Sequence, residues 1–142
     1  MRRTALMIAV FCAGCGGPDP TADVTGTVTS NGAPLNKPGG KIVFVGPAGS
    51  QVVADIAADG AYRAVGVPAG PNRVAVYYPN PEAKMGEKHL PEKGRIPPKV
   101  TPPMPPPFVT PYKYASPDTS ELSVIVGPGT VYNADLVGPK IR

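Results

Sequence analysis

Few residues in this chain are able to do chemistry. Cys12 and Cys15 are the only cysteines and His89 is the only histidine. The C-x-x-C spacing invites a redox or zinc reading. A structural zinc site needs four ligands, however, and no second cysteine or histidine pair follows downstream. Both cysteines also close an apolar run that begins beside Arg2-Arg3. His89 stands in Glu87-Lys88-His89 with no nucleophile beside it, which reads as a solvated loop. Asp55 and Asp59 flank a turn in DIAADG. A calcium loop alternates its carboxylates more closely and adds a bidentate glutamate, so these two read as hairpin chemistry. No serine lies in a G-x-S-x-G elbow, and no glycine-rich loop opens a helical pattern. The expectation is a non-enzymatic chain with no catalytic residue, no cofactor and no metal site.

What Cys15 could do depends on the segment before it. Arg2-Arg3 forms a short basic start, and residues 5–11 are an apolar run too short to span a bilayer. Cys12-Ala13-Gly14-Cys15 follows, with small residues at the two positions before Cys15. This resembles the lipobox of bacterial lipoprotein signal peptides. It departs in one place, since Cys12 stands where that pattern usually has leucine. The resemblance implies a signal peptide over 1–14, cleavage before Cys15, and lipidation of the Cys15 thiol. The alternative is an ordinary secretory signal that leaves Cys15 free. Acyl chains would hold the chain on a membrane at about 0.8 kcal/mol per buried CH₂. Residues 15–22 are polar and rich in turn formers, which suits a flexible tether between lipid and domain. Gly16 rather than aspartate follows Cys15. That favours the outer membrane, facing the periplasm or the exterior, as the place in the cell envelope.

Twenty-one prolines and seventeen glycines in 142 residues are about 27% of the chain, against about 12% ordinarily. Backbone punctuation at this density excludes a helix bundle. Short patterned apolar runs, with 42% hydrophobic and only 17% charged residues, argue against disorder. Period-two patterning then predicts seven strands, over 23–30, 41–46, 51–57, 61–67, 72–78, 121–126 and 131–137. Their inward positions are Val24 and Val28, Ile42 and Phe44, Ala54 and Ile56, Tyr62 and Ala64, Val74, Val76 and Tyr78, Leu122 and Val124, and Tyr132 and Leu136. Residues 41–46 are apolar on both faces and read as a central strand. Asn31-Gly32 and Asp59-Gly60 supply tight turns. The expected architecture is an all-β, seven-stranded sandwich over 23–137, with a tail at 138–142.

Between the fifth and sixth strands lies a proline-rich insertion, residues 79–117, with twelve prolines in 39 residues. Proline cannot donate to a sheet ladder and favours polyproline II. Residues 97–107 would reach about 34 Å at about 3.1 Å each. The stretch reads as a stiff crossover or a projecting loop, and long loops often carry a protein's contacts. The PxxP spacing from Pro102 to Pro105 would suit readers found in the cytosol.

The formal charge is +4, of which Arg2 and Arg3 supply two. The densest basic group, Lys84, Lys88, Lys93, Arg95 and Lys99, is interleaved with Glu82, Glu87 and Glu92. This is a solvated loop rather than the clustered basic face that nucleic acid requires.

Several turns and strands together resemble the carboxypeptidase regulatory-like (transthyretin-like) domain. These are Val24-Thr25-Gly26-Thr27-Val28, Gly32-Ala33-Pro34-Leu35, Gly40-Lys41-Ile42-Val43-Phe44, Ala58-Asp59-Gly60-Ala61-Tyr62, Val67-Pro68-Ala69-Gly70-Pro71 and Val74-Ala75-Val76. The stretch from Pro111-Tyr112-Lys113-Tyr114 to Leu122 is similar to small bacterial lipoproteins carrying that domain. The resemblance implies a prealbumin-like or immunoglobulin-like sandwich with an accessory or structural role and no catalytic residue. The expected partners are a membrane, through the lipid anchor, and an envelope protein or polysaccharide. The second expectation is a carbohydrate- or peptide-binding module using Tyr77, Tyr78, Tyr112 and Tyr114 with the proline-rich loop.

Overall fold

The structure is a computed structural model and describes residues 19–83 and 106–139. Cys12, Cys15, His89, the signal peptide over 1–14 and the Pro102–Pro105 spacing lie outside the described residues. Eight strands are present: β1 (Thr21–Ser30), β2 (Ala33–Pro34), β3 (Gly40–Val45), β4 (Gln51–Ile56), β5 (Ala61–Pro68), β6 (Gly70–Tyr77), β7 (Leu122–Val126) and β8 (Ala134–Leu136). A short 3₁₀ turn, Tyr112–Ala115, precedes β7. The chain is all-β, and its strands form one curled sheet in the order β2-β1-β5-β4-β3-β6-β7, with β8 added to β1.

Each of the seven expected strands has its counterpart, and β2 is an addition. Asn31 and Gly32 both take positive φ, 50° and 77°. Two such residues make the tight turn that folds Ala33–Pro34 back onto Thr29–Ser30. The tether expected over 15–22 is too long by two residues. Thr21 and Ala22 pair with Pro68 and Val67, and the Ala69 amide donates to the Pro20 carbonyl at 2.8 Å. The tail expected over 138–142 also begins late. Gly138 exchanges two hydrogen bonds with the Asn31 side chain, at 3.2 and 3.3 Å.

The sheet has two limbs. β1 pairs with β2, β5 and β8 in one, and β4, β3, β6 and β7 are neighbours in the other. β4 and β5 join the limbs through a single residue pair, Ile56 and Tyr62. That narrow hinge lets the inward side chains of both limbs meet. Val24, Val28, Tyr62, Ala64 and Val67 share one buried cluster with Ile42, Phe44, Val74, Val76 and Tyr78. The Phe44 and Tyr62 rings lie 6.1 Å apart within it. Removing such side chains from water, at about 1.5–3 kcal/mol each, is the main source of stability. β3 is central, and its alternate residues Val43 and Val45 form a second small cluster with Ala75 and Tyr77.

β8 is the one parallel strand of the set, and side chains clamp it to β1. Asn133 Oδ1 accepts from the Thr27 amide and hydroxyl at 3.0 and 3.1 Å. Asp135 accepts from Thr29 Oγ1 at 2.8 Å and from the Gly32 amide at 2.9 Å. These bonds make the chain's last strand an integral part of its first.

Candidate functional site

The two ends of the proline-rich insertion meet beyond β6. Pro79 and Phe108 form an antiparallel bridge. The Val109 amide donates to the Tyr78 carbonyl and the Asn80 amide to the Pro107 carbonyl, both at 2.9 Å. β6 is thus prolonged by a ladder whose second strand is too proline-rich to extend further.

Strand alternation sends Tyr77 and Tyr78 to opposite faces. On the outer side, Tyr77, Phe108 and Tyr112 form a row of rings, with centroids 5.6 and 5.9 Å apart and planes tilted by 55° and 40°. Tyr77 and Phe108 are half-buried, and Tyr112 is 73% exposed. An open groove of about 690 Å³ runs beside this row, with Phe108, Tyr112 and Tyr78 among its walls. Prolines from three parts of the chain, including Pro38, Pro79 and Pro107, complete it.

Most polar groups at the groove are already committed. Asn80 Nδ2 donates to the Pro106 carbonyl at 2.8 Å, and its Oδ1 accepts from the Glu82 amide at 3.0 Å. Thr110 Oγ1 accepts from the Tyr78 amide at 3.3 Å. The Tyr78 hydroxyl is the exception. Tyr78 is only 2% exposed, and its oxygen has no hydrogen-bond partner among the described residues. Burial alone pushes its pKa above the ordinary tyrosine value of 10.0. The ring is held against Gly40, where an added Cβ would fall 2.4 Å from Tyr78 Cζ.

The expectation of four exposed tyrosines is therefore corrected at two positions. Tyr78 continues the inward series of Val74 and Val76 and is buried. Tyr114, in the 3₁₀ turn, is 4% exposed, and its hydroxyl is fixed between the Val137 carbonyl and amide at 3.0 Å each. Tyr77 and Tyr112 remain accessible. Phe108 is a site residue that the sequence reading missed, although it is the only aromatic residue in the stretch from 79 to 111.

The two aspartates weighed as calcium ligands sit apart in role. Asp55 pairs with Lys41, and Asp59 Oδ1 accepts from the Ala61 amide at 3.0 Å, closing the β4–β5 hairpin. Among the described residues there is no group of three or more His, Cys, Asp or Glu that could hold a metal. Nor is any helix there long and apolar enough to cross a membrane. Compared with family models, curated proteins and solved structures, the chain matches none of them.

Proposed function

We propose that this chain is a lipid-anchored protein of the bacterial cell envelope. Its body is a carboxypeptidase regulatory-like β-sandwich with an accessory rather than catalytic role. The observation that carries the reading is the basic start, short apolar run and Ala13-Gly14-Cys15 junction, placed directly ahead of an all-β body. The two-layer reading is supported by the limbs, which share one buried cluster yet meet through one residue pair. The order of strands and turns supports the family reading, including the Asn31-Gly32 and Asp59-Gly60 turns between the expected strands.

Intact-mass analysis of the mature N-terminus tests the anchor. The expected chain begins at Cys15 and carries the mass of a diacylglyceryl group on its thiol. A mature chain with an unmodified Cys15 overturns the anchored reading.

A second reading is favoured by a separate observation. The tilted row Tyr77, Phe108 and Tyr112 beside a proline-walled groove supports a binding module for carbohydrate or peptide. The two readings are compatible, since an anchored accessory domain acts by holding something. Titration with oligosaccharide and peptide probes, read by ring resonances of Tyr112, tests the second. Perturbation by neither class overturns it.

A further inference from the structure

The groove's own chemistry narrows what it can hold. A sugar-stacking platform needs aromatic faces lying flat and open to the ligand. Here the three rings touch one another at 55° and 40°, so their faces do not form a common plane. A pyranose also needs several side-chain donors and acceptors converging on its hydroxyls. Asn80 and Thr110 are spent on the loop itself. Lys37 and Glu82 both line the groove, so its formal charges balance and favour an uncharged occupant. Its volume of about 690 Å³ lies within the range of about 300–1,000 Å³ typical of small-ligand sites. That suits a few residues of extended chain better than the face of a folded protein.

One polar group remains. A buried tyrosine hydroxyl without a partner costs stability, and the protein retains it on the groove wall. A single donor fits a ligand that offers isolated acceptors. Polyproline II meets that description. It has no internal hydrogen bonds, its carbonyls are exposed, and proline has no amide hydrogen asking for an acceptor in return. Aromatic-lined grooves recognise such segments through their proline rings, at low entropic cost because the ligand is already stiff.

We infer that this groove binds an uncharged, proline-rich peptide segment in the polyproline II form. Phe108 and Tyr112 pack against its rings, and the Tyr78 hydroxyl donates to one of its carbonyls. The inference deepens the binding-module reading and rests on it.

The test is calorimetric titration of the full chain with a polyproline peptide, alongside a glycine-serine peptide and an N-acetylglucosamine oligomer. The expected result is saturable binding of polyproline alone. Tyr112→Ala, at an exposed position, weakens it about tenfold. Tyr78→Phe weakens it about fivefold while melting no earlier than the parent, because the lost hydroxyl bonded nothing in the free protein. Undiminished binding in both variants overturns the site. Binding of the oligosaccharide and not of polyproline overturns the peptide and leaves the binding module standing. If the folded protein binds neither, both fall.

Discussion

Tyr62 and Tyr78 occupy matching situations at two ends of the same core. Each is a nearly buried tyrosine, at 6% and 2% exposure, and each leans on a glycine that leaves room for it. An added Cβ on Gly26 would fall 3.1 Å from the Tyr62 hydroxyl, and one on Gly40 would fall inside the Tyr78 ring. They differ in one bond. The Tyr62 hydroxyl donates to the Tyr132 carbonyl at 2.6 Å, and the Tyr78 hydroxyl donates to nothing. The first belongs to the seam where the chain's beginning and end are joined. The second belongs to the wall of the groove. A satisfied polar group in a core is part of the architecture, whereas an orphaned one beside a cleft is unfinished until something arrives.

Substituting the supporting glycines should break the comparison hardest. Gly26→Ala places a methyl 1.8 Å from the Tyr132 carbonyl oxygen, a backbone atom that cannot swing aside. A loss of about 4 kcal/mol or more is expected in denaturant unfolding. A loss under about 1 kcal/mol would mean that β1 and the 131–133 segment are not apposed as described. Gly40→Ala meets only a side chain, the Tyr78 ring at 2.4 Å. The cost should be smaller, about 2–3 kcal/mol, because the ring has the groove to move into. Equal losses in the two variants would erase the difference between seam and groove.

Removing one oxygen sharpens the same contrast. Tyr62→Phe strands the Tyr132 carbonyl and should cost about 1–3 kcal/mol. Tyr78→Phe should be neutral or slightly stabilising in the same assay. If the two variants fall together, the Tyr78 hydroxyl has a partner after all.

The titration of Tyr62 gives a smaller effect of definite sign. Burial, followed by repulsion from Tyr132, raises its pKa well above 10.0. A group whose folded pKa is raised contributes its stability below the unfolded value and loses it as pH climbs towards the folded one. The melting temperature should therefore fall above about pH 10. The fall should be shallower in Tyr62→Phe, and parallel curves for the two proteins would contradict the assignment.

Asp23 should give the smallest effect. Its carboxylate takes hydrogen bonds from Arg63 at 2.8 Å and from the Gly66 amide at 3.3 Å, and these lower its pKa from 3.8. That contribution is present above the unfolded value and lost as pH falls through the lowered one. Asp23→Asn should flatten the acid limb of the melting curve slightly, since the pair is solvent-exposed and screened. An unaltered acid limb would show that the pair contributes nothing.

Much of this was legible in the sequence because strand alternation is a local signal. Val24, Val28, Ile42, Phe44, Ala64 and Leu136 sit inward as their spacing demands. The same alternation already separated Tyr78 from Tyr77, yet the tyrosines were grouped by residue type as one surface, which the structure corrects. Tyr114 was not legible, because a 3₁₀ turn among prolines has no period to read. The parallel pairing of β8 with β1 was hidden for another reason. Its specificity rests on Asn133 and Asp135 meeting Thr27 and Thr29 across 106 positions, and polar clamps leave no hydrophobic pattern. The groove was out of reach because its walls come from three distant segments.

That clamp between first and last strands bears on how the molecule comes into being. A polypeptide emerging from the ribosome with its amino end first exposes β1 long before the residues that complete its edge exist. Loop closure over such a distance is slow, so the final sheet waits for the carboxyl end. Removing the last ten or so residues would leave β1 with a bare polar margin open to pairing with other chains. Premature termination here should yield aggregates rather than a smaller folded protein.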